Sequence, residues 1–183
     1  MSSEIVTYTG RVVDPLNLRP DKVNIIDIAH SLSLQCRFTG HVKWHYSVGQ
    51  HSVLCAEFGR SRLNVDKQVQ LELLLHDGSE TYCADLARPV KHAPGLGDAY
   101  RAVEDVIQSV VAEKFGLTYP FSAVVHKVDN VLLAAEQRQL MPRFRHVPAP
   151  MPYPWIIDQW TPEHTEERFL ALYTELTGDI PRR

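Results

Sequence analysis

The chain has 183 residues, 44% hydrophobic and 22% charged, enough apolar chain for one full core without disulfide or metal staples. A net charge of -3 lacks the basic surplus through which a nucleic-acid polymer or an anionic membrane is held, so neither is expected as a partner. A single nucleotide stays within reach, since a few local cations suffice for it. Cys36, Cys55 and Cys83 are odd in number and outside any C-x-x-C spacing, so they read as reduced core residues. The start, MSSEIVTYTG, lacks the basic-then-apolar order of a signal peptide, and no apolar run approaches the ~18 residues of a membrane helix; a cytoplasmic protein is expected.

Residues 1–23 are turn-rich, punctuated by Thr9-Gly10, Asp14-Pro15 and Arg19-Pro20, with short runs at 5–8 and 11–13 that can pair as a small hairpin. Asn24 is an N-cap for a helix with apolar residues at 25, 26, 28, 29 and 32, fading near Cys36. Arg37-Phe38-Thr39-Gly40-His41 is a polar turn with one aromatic. Ser47 and Gln50 form an S-x-x-Q capping box, so a helix starts at Val48 and carries His51, Leu54, Cys55 and Phe58 on one face. That face is apolar apart from the histidine. The pattern loosens over 59–64, and Asp66 caps a further helix that ends at His76-Asp77, where Gly78 stops it.

Glu80, Asp85, Arg88 and Lys91 follow, so an imidazole, three carboxylates and two cations fall within residues 76–91. A helix over 98–115 closes at Gly116, and another over 121–141 buries Val125, Val128, Asp129, Leu132 and Leu133 before Pro142 stops it. Asp129 is an acid at an apolar-face position. Pro142, Pro148, Pro150, Pro152 and Pro154 forbid helix over 142–160 and suit an extended wrap anchored by Met151, Tyr153, Trp155 and Trp160. Thr161-Pro162 then starts a last helix that ends at Gly178. The expected class is all-α, one domain over 1–183, with a short N-terminal hairpin or irregular segment.

His51, the pair His76-Asp77, and Asp129 belong to three predicted helices, and a helix that ends at the pair lets both side chains turn toward one ion. Imidazole and carboxylate donors together suit zinc, manganese, cobalt or iron, and suit magnesium less. Singly, each has an ordinary reading: His51 as a hydrogen-bonded core histidine, Asp129 as a salt-bridge partner. The joint pattern points to a metal centre.

These residues resemble the short, single-domain members of the HD phosphohydrolase superfamily, which include bacterial deoxyribonucleoside 5'-monophosphatases and phage dATP triphosphohydrolases. The resemblance runs through Asp27-Ile28-Ala29-His30, Cys36-Arg37-Phe38-Thr39-Gly40-His41, Ser47-Val48 with His51-Ser52, His76-Asp77-Gly78-Ser79-Glu80, residues 85–91 and the segment about Asp129. It implies an HD-domain helical bundle with His51, His76, Asp77 and Asp129 as metal ligands. It also implies that Glu80 and Asp85 serve the attacking water, the leaving group or a second ion, and that the protein is a homo-oligomer in a bacterial cytoplasm, or in that of a host if phage-encoded. Phe38 stands where several relatives carry tryptophan, and His45, which has no counterpart, is left outside the metal site. Alarmone hydrolases and cyclic-dinucleotide phosphodiesterases fit less well, because Glu80-Thr81 matches neither the acidic pair of the first nor the lysine of the second.

The expected activity is metal-assisted hydrolysis of a deoxynucleotide by a divalent ion such as cobalt, zinc, manganese or magnesium. Glu80 would act on the water and Asp85 on the departing oxygen or a second ion. Arg37 offers a planar fork to phosphate and Lys91 a point charge, while Phe38 and His41 flank the nucleoside. Length, the C-R-F-x-G-H run and the proline-rich tail lean toward a dATP-type triphosphohydrolase. A 5'-monophosphatase is the alternative, and a nucleotide-binding regulator without catalysis is the third reading.

Overall fold

Residues 48–56 are buried without exception, and the run contains no lysine, arginine, aspartate or glutamate. A helix with nothing that must reach water can be packed on all sides. That is the position of α2 (Val48–Leu63), the axis of a helical bundle in which α1 (Ile25–Leu34), α3 (Lys67–Leu75), α7 (Ala123–Leu140) and α8 (Pro162–Thr177) all pack against it. The structure, a computed structural model, describes residues 3–141 and 152–182. Pro142, Pro148, Pro150 and Met151 of the predicted wrap lie outside the described residues.

Side-chain caps set most of the helix starts. Asn24 accepts from the Ile26 N–H at 2.8 Å, Asp66 from Val69 at 2.9 Å and Thr161 from His164 at 3.2 Å. Ser47 accepts from the Gln50 N–H at 3.1 Å, but the reciprocal half of the expected capping box is not made. Gln50 is buried and its amide instead donates to the Asp158 carbonyl at 2.7 Å, tying α2 to the segment over 152–160. There Tyr153 and Trp155 pack on Phe58, with ring centroids 5.8 and 6.0 Å away.

The expected loosening over 59–64 does not occur. Helix α2 runs on to Leu63 and ends at Asn64 in the left-handed conformation, φ 49°. Gly59 is a packing contact, because a Cβ there would collide with Leu73 of α3. Other differences are small: α6 (Leu96–Lys114) begins before residue 98, and two short helices, α4 (Glu80–Cys83) and α5 (Arg88–Lys91), fill the stretch after His76-Asp77. No helix among the described residues is long and apolar enough to cross a membrane.

The N-terminal hairpin forms, with β1 (Ile5–Val6) antiparallel to β2 (Val12–Val13). Asp27 fastens it to α1 by accepting from the Thr9 N–H at 2.7 Å and the Thr9 hydroxyl at 2.9 Å. His30 stacks on Tyr8, centroids 3.5 Å apart, and meets Glu166 of α8 at 2.9 Å. The Asp27-to-His30 run is therefore a latch, not part of a site. Two hydrogen bonds to a buried carboxylate put the cost of Asp27→Ala at about 2–3 kcal/mol of stability. Urea unfolding should show that loss, with metal binding unchanged.

Candidate metal centre

Helix α3 delivers His76 and Asp77 together because it stops there: His76 is its C-cap and the Gly78 N–H turns back to the Leu75 carbonyl at 2.9 Å. Helix α2 brings His51 and α7 brings Asp129. The Nε2 atom of His51 lies 3.2 Å from His76 Nε2, 3.3 Å from Asp129 Oδ1 and 3.8 Å from Asp77 Oδ2, and His76 Nε2 lies 3.3 Å from Asp77 Oδ2. Donor atoms bound at ~2.0–2.2 Å to one ion are themselves about 3.0–3.5 Å apart, so this spacing fits a shared cation. Burial opposes charge on Asp129, but the hydrogen bond with His51 and the charges of His51, His76 and Arg37 hold its carboxyl well below the usual range.

Cys55, one turn along α2 from His51, is a further sulfur donor. His51, Cys55 and His76 place ligand atoms within 4.8 Å of one another, a cluster compact enough to hold a metal ion. The two donor sets differ in side. Asp77 and Asp129 line a cavity, whereas Cys55 is fully buried, 3.5 Å behind His51 Nε2, with its thiol pushed up to about 11 by burial.

Both imidazoles are aimed by what their Nδ1 atoms touch. His76 Nδ1 donates to the Leu73 carbonyl at 2.8 Å, which leaves Nε2 as the free donor. His51 Nδ1 meets Glu136 Oε1 at 2.5 Å, and the Tyr46 hydroxyl donates to the same oxygen at 2.8 Å. Burial works against charge on Glu136, but Arg37, His51 and Tyr46 outweigh it and hold the carboxyl at about 2. Sequence reasoning missed Glu136. Its signal was available, since it stands seven residues after Asp129 on the same buried face of α7.

Arg37 lines the cavity, but its fork is engaged: Nη1 is 3.4 Å from Asp77 Oδ2 and Nη2 is 3.2 Å from Glu136 Oε2. It joins Asp77 to the carboxylate that His51 meets. Lys91 is likewise paired, with Glu104 Oε1 at 2.5 Å. His41 is exposed and Phe38 half-buried on the cavity wall. His45 rests 3.4 Å from the Leu34 carbonyl, outside this constellation.

The cavity measures about 530 Å³, within the range of small-molecule sites. Its walls combine the carboxylates of Asp77, Glu80, Asp85 and Asp129 with the apolar side chains of Phe38, Leu86, Leu133 and Met141. Glu80 is 5% exposed with Oε2 unpartnered, and burial followed by the Asp77 and Asp85 charges pushes its carboxyl well up. Burial also raises Asp85. The Gln35 amide, which sequence reasoning missed, holds both in place: Nε2 donates to the Glu80 carbonyl at 3.0 Å and Oε1 accepts from the Asp85 N–H at 3.1 Å.

Between them Ala84 sits at φ 65°, ψ 162°, a region that glycine alone occupies without strain. The Tyr100 hydroxyl on its carbonyl helps to keep it there. Ala84→Gly removes a strain of about 1–3 kcal/mol and adds about 0.5–1 kcal/mol of unfolded-state entropy. Denaturant unfolding should show the variant more stable by about 1 kcal/mol, against the usual sign for alanine to glycine.

Fold and cluster together define a small all-helical protein with a buried centre able to hold a metal ion. No protein-family model matches the chain. It is 38% identical over 138 residues to the uncharacterized protein YfdR of Escherichia coli K12, covering 75% of this chain and 72% of that one. It is 33% identical over 139 residues to the uncharacterized protein RCAP_rcc00048 of Rhodobacter capsulatus, covering 72% and 70% respectively. The chain belongs to the family of these bacterial proteins.

Proposed function

We propose that the chain is a metal-dependent phosphohydrolase of the HD superfamily and that its substrate is a deoxynucleoside monophosphate. The observation that carries this reading is the convergence of His51, His76, Asp77 and Asp129 beside a cavity that Asp77 and Asp129 help to line together with other acidic and apolar side chains. A divalent ion held there supplies Lewis acidity toward a phosphoryl oxygen and lowers the pKa of water from ~15.7 toward ~7. Two imidazoles and two carboxylates suit cobalt, zinc or manganese.

The chain's own residues supply the rest. Glu80, buried and unpartnered on the cavity wall, takes the proton of the attacking water as the new P–O bond forms. Asp85, on the same cavity wall, gives a proton to the sugar oxygen as the old P–O bond breaks. Phe38 offers a flat face to the nucleoside, backed by Leu133 and Met141.

Charge favours one phosphate over three. Each cation lining the cavity among the described residues already faces a carboxylate: Arg37 faces Asp77 and Glu136, Lys91 faces Glu104, and Arg88 lies 4.0 Å from Asp129. A triphosphate needs cations beyond the ion, and of these only the exposed Arg88 is loosely held. On this ground we favour the 5'-monophosphatase over the triphosphohydrolase suggested by sequence. Incubation with deoxynucleoside mono- and triphosphates and each of cobalt, manganese, zinc and magnesium tests this. Orthophosphate from the monophosphates is expected, and release of tripolyphosphate from triphosphates alone would restore the other activity. Nucleotide binding with no release under any metal would make the protein a regulator.

A further inference from the structure

Lys91 stands in the partition between two cavities that meet at the metal centre. It lines the larger one beside Asp77, Glu80 and Asp85, and it lines a second, of about 210 Å³, beside His76, Asp77 and Glu104. Four carboxylates thus share the walls around one ammonium. One of them, Glu80, is 5% exposed with an oxygen that has no hydrogen-bond partner among the described residues. Hard oxygen donors gathered in this way are what a divalent cation takes.

The fold fixes the ammonium there from three points on one face of α6. Gly97 presses so close to the Lys91 carbonyl that a Cβ would collide with it, and Arg101 donates to that same carbonyl. One turn further on, Glu104 holds the side chain, Nζ to Oε1 2.5 Å. The ammonium also lies 6.0 Å from the centre of the Tyr100 ring. The spacing 97, 101, 104 is that of a single helix stripe. A surface lysine needs no such support.

We propose that the Lys91 ammonium is a built-in cation occupying the place of a second divalent ion, so that the centre takes one ion per chain. This rests on the reading of His51, His76, Asp77 and Asp129 as the ligands of the first ion. The acids behave accordingly. Burial raises Glu80, Asp85 and Glu104, with the Asp77 charge adding to it in each, while Lys91 lowers all three. Without the ammonium these carboxylates lose the cation that all three of Glu80, Asp85 and Glu104 share, and a divalent cation is the ready replacement. Asp85 is then free of any metal while Lys91 is present, which agrees with a role as proton donor.

The test is the number of manganese ions bound by the purified full chain at millimolar excess, counted by equilibrium dialysis and elemental analysis. Wild type should bind one. Lys91→Met, which keeps the length of the side chain and removes its charge, should bind two, and Lys91→Gln should do the same if the methionine variant does not fold. Glu104→Gln, which keeps the ammonium, should stay at one. Two ions in wild type, or one in both folded Lys91 variants, would overturn the inference and leave the first site standing. No ion in wild type would remove the centre itself, and both readings with it.

Discussion

Glu136→Ala should leave a chain that holds no ion and is close to unfolding. The carboxylate is fully buried, and three donors depend on it: the His51 ring at 2.5 Å, the Tyr46 hydroxyl at 2.8 Å and the Arg37 guanidinium at 3.2 Å. Its removal takes the nearer and fully buried carboxylate from the Arg37 guanidinium, leaving it only Asp77 at 3.4 Å, and breaking such a buried pair costs about 3–5 kcal/mol where whole-domain stabilities are about 5–15 kcal/mol. Glu136→Gln separates charge from shape. It keeps an acceptor for His51 Nδ1 and removes the negative charge, so the fold should survive while metal affinity falls about 10–100-fold, the usual effect of losing an outer partner of a ligating histidine. Urea unfolding in the presence of chelator reads the fold, and competition against a chromophoric chelator reads the affinity. Wild-type affinity in Glu136→Gln would show that the buried carboxylate does not act on the metal.

The second large effect divides holding the ion from using it. His76→Ala or Asp77→Ala removes a donor that lies 3.2–3.8 Å from its neighbours around the shared position, and should abolish metal retention. Glu80→Gln should retain the ion in full and lose about 10²–10⁴ in turnover, the magnitude expected for a positioned acid or base. Its unpartnered oxygen makes no contact that the fold depends on. Metal analysis and phosphate release on the same preparations give both quantities. Equal metal loss in Glu80→Gln and His76→Ala would contradict the division of roles.

What could be read from the sequence was local chemistry. Asn24, Asp66 and Thr161 announce their helices because a cap satisfies backbone N–H groups two or three residues away. The start of α6 was displaced because Gly95 stands at its cap, with its N–H bonded to Asp98 at 3.1 Å, so no hydroxyl or amide marks the position. Gly59 was misread for a related reason. Its role is set by Leu73, on another helix, and spacing along one chain carries no record of that contact.

The same limit explains the site. His51 and Asp129 stand out because each interrupts an apolar face, and the structure brings both to the His76-Asp77 turn. Glu136 interrupts the same face of α7 and obeys the same rule. Direction was not legible: a planar fork at Arg37 suits a phosphate as well as it suits Asp77 and Glu136, and only the packing of α2, α3 and α7 decides between them. Gln35 lies outside every motif because it acts on the backbone of residues 80 and 85, which any sequence supplies.

X-ray absorption at the metal edge, on protein loaded with one equivalent of zinc, tests the centre most directly. Coordination by His51, His76, Asp77 and Asp129 predicts a shell of nitrogen and oxygen alone at about 2.0–2.2 Å, with the outer scattering of two imidazoles. A sulfur scatterer at about 2.3 Å would place Cys55 in the shell instead of a carboxylate and contradict that assignment.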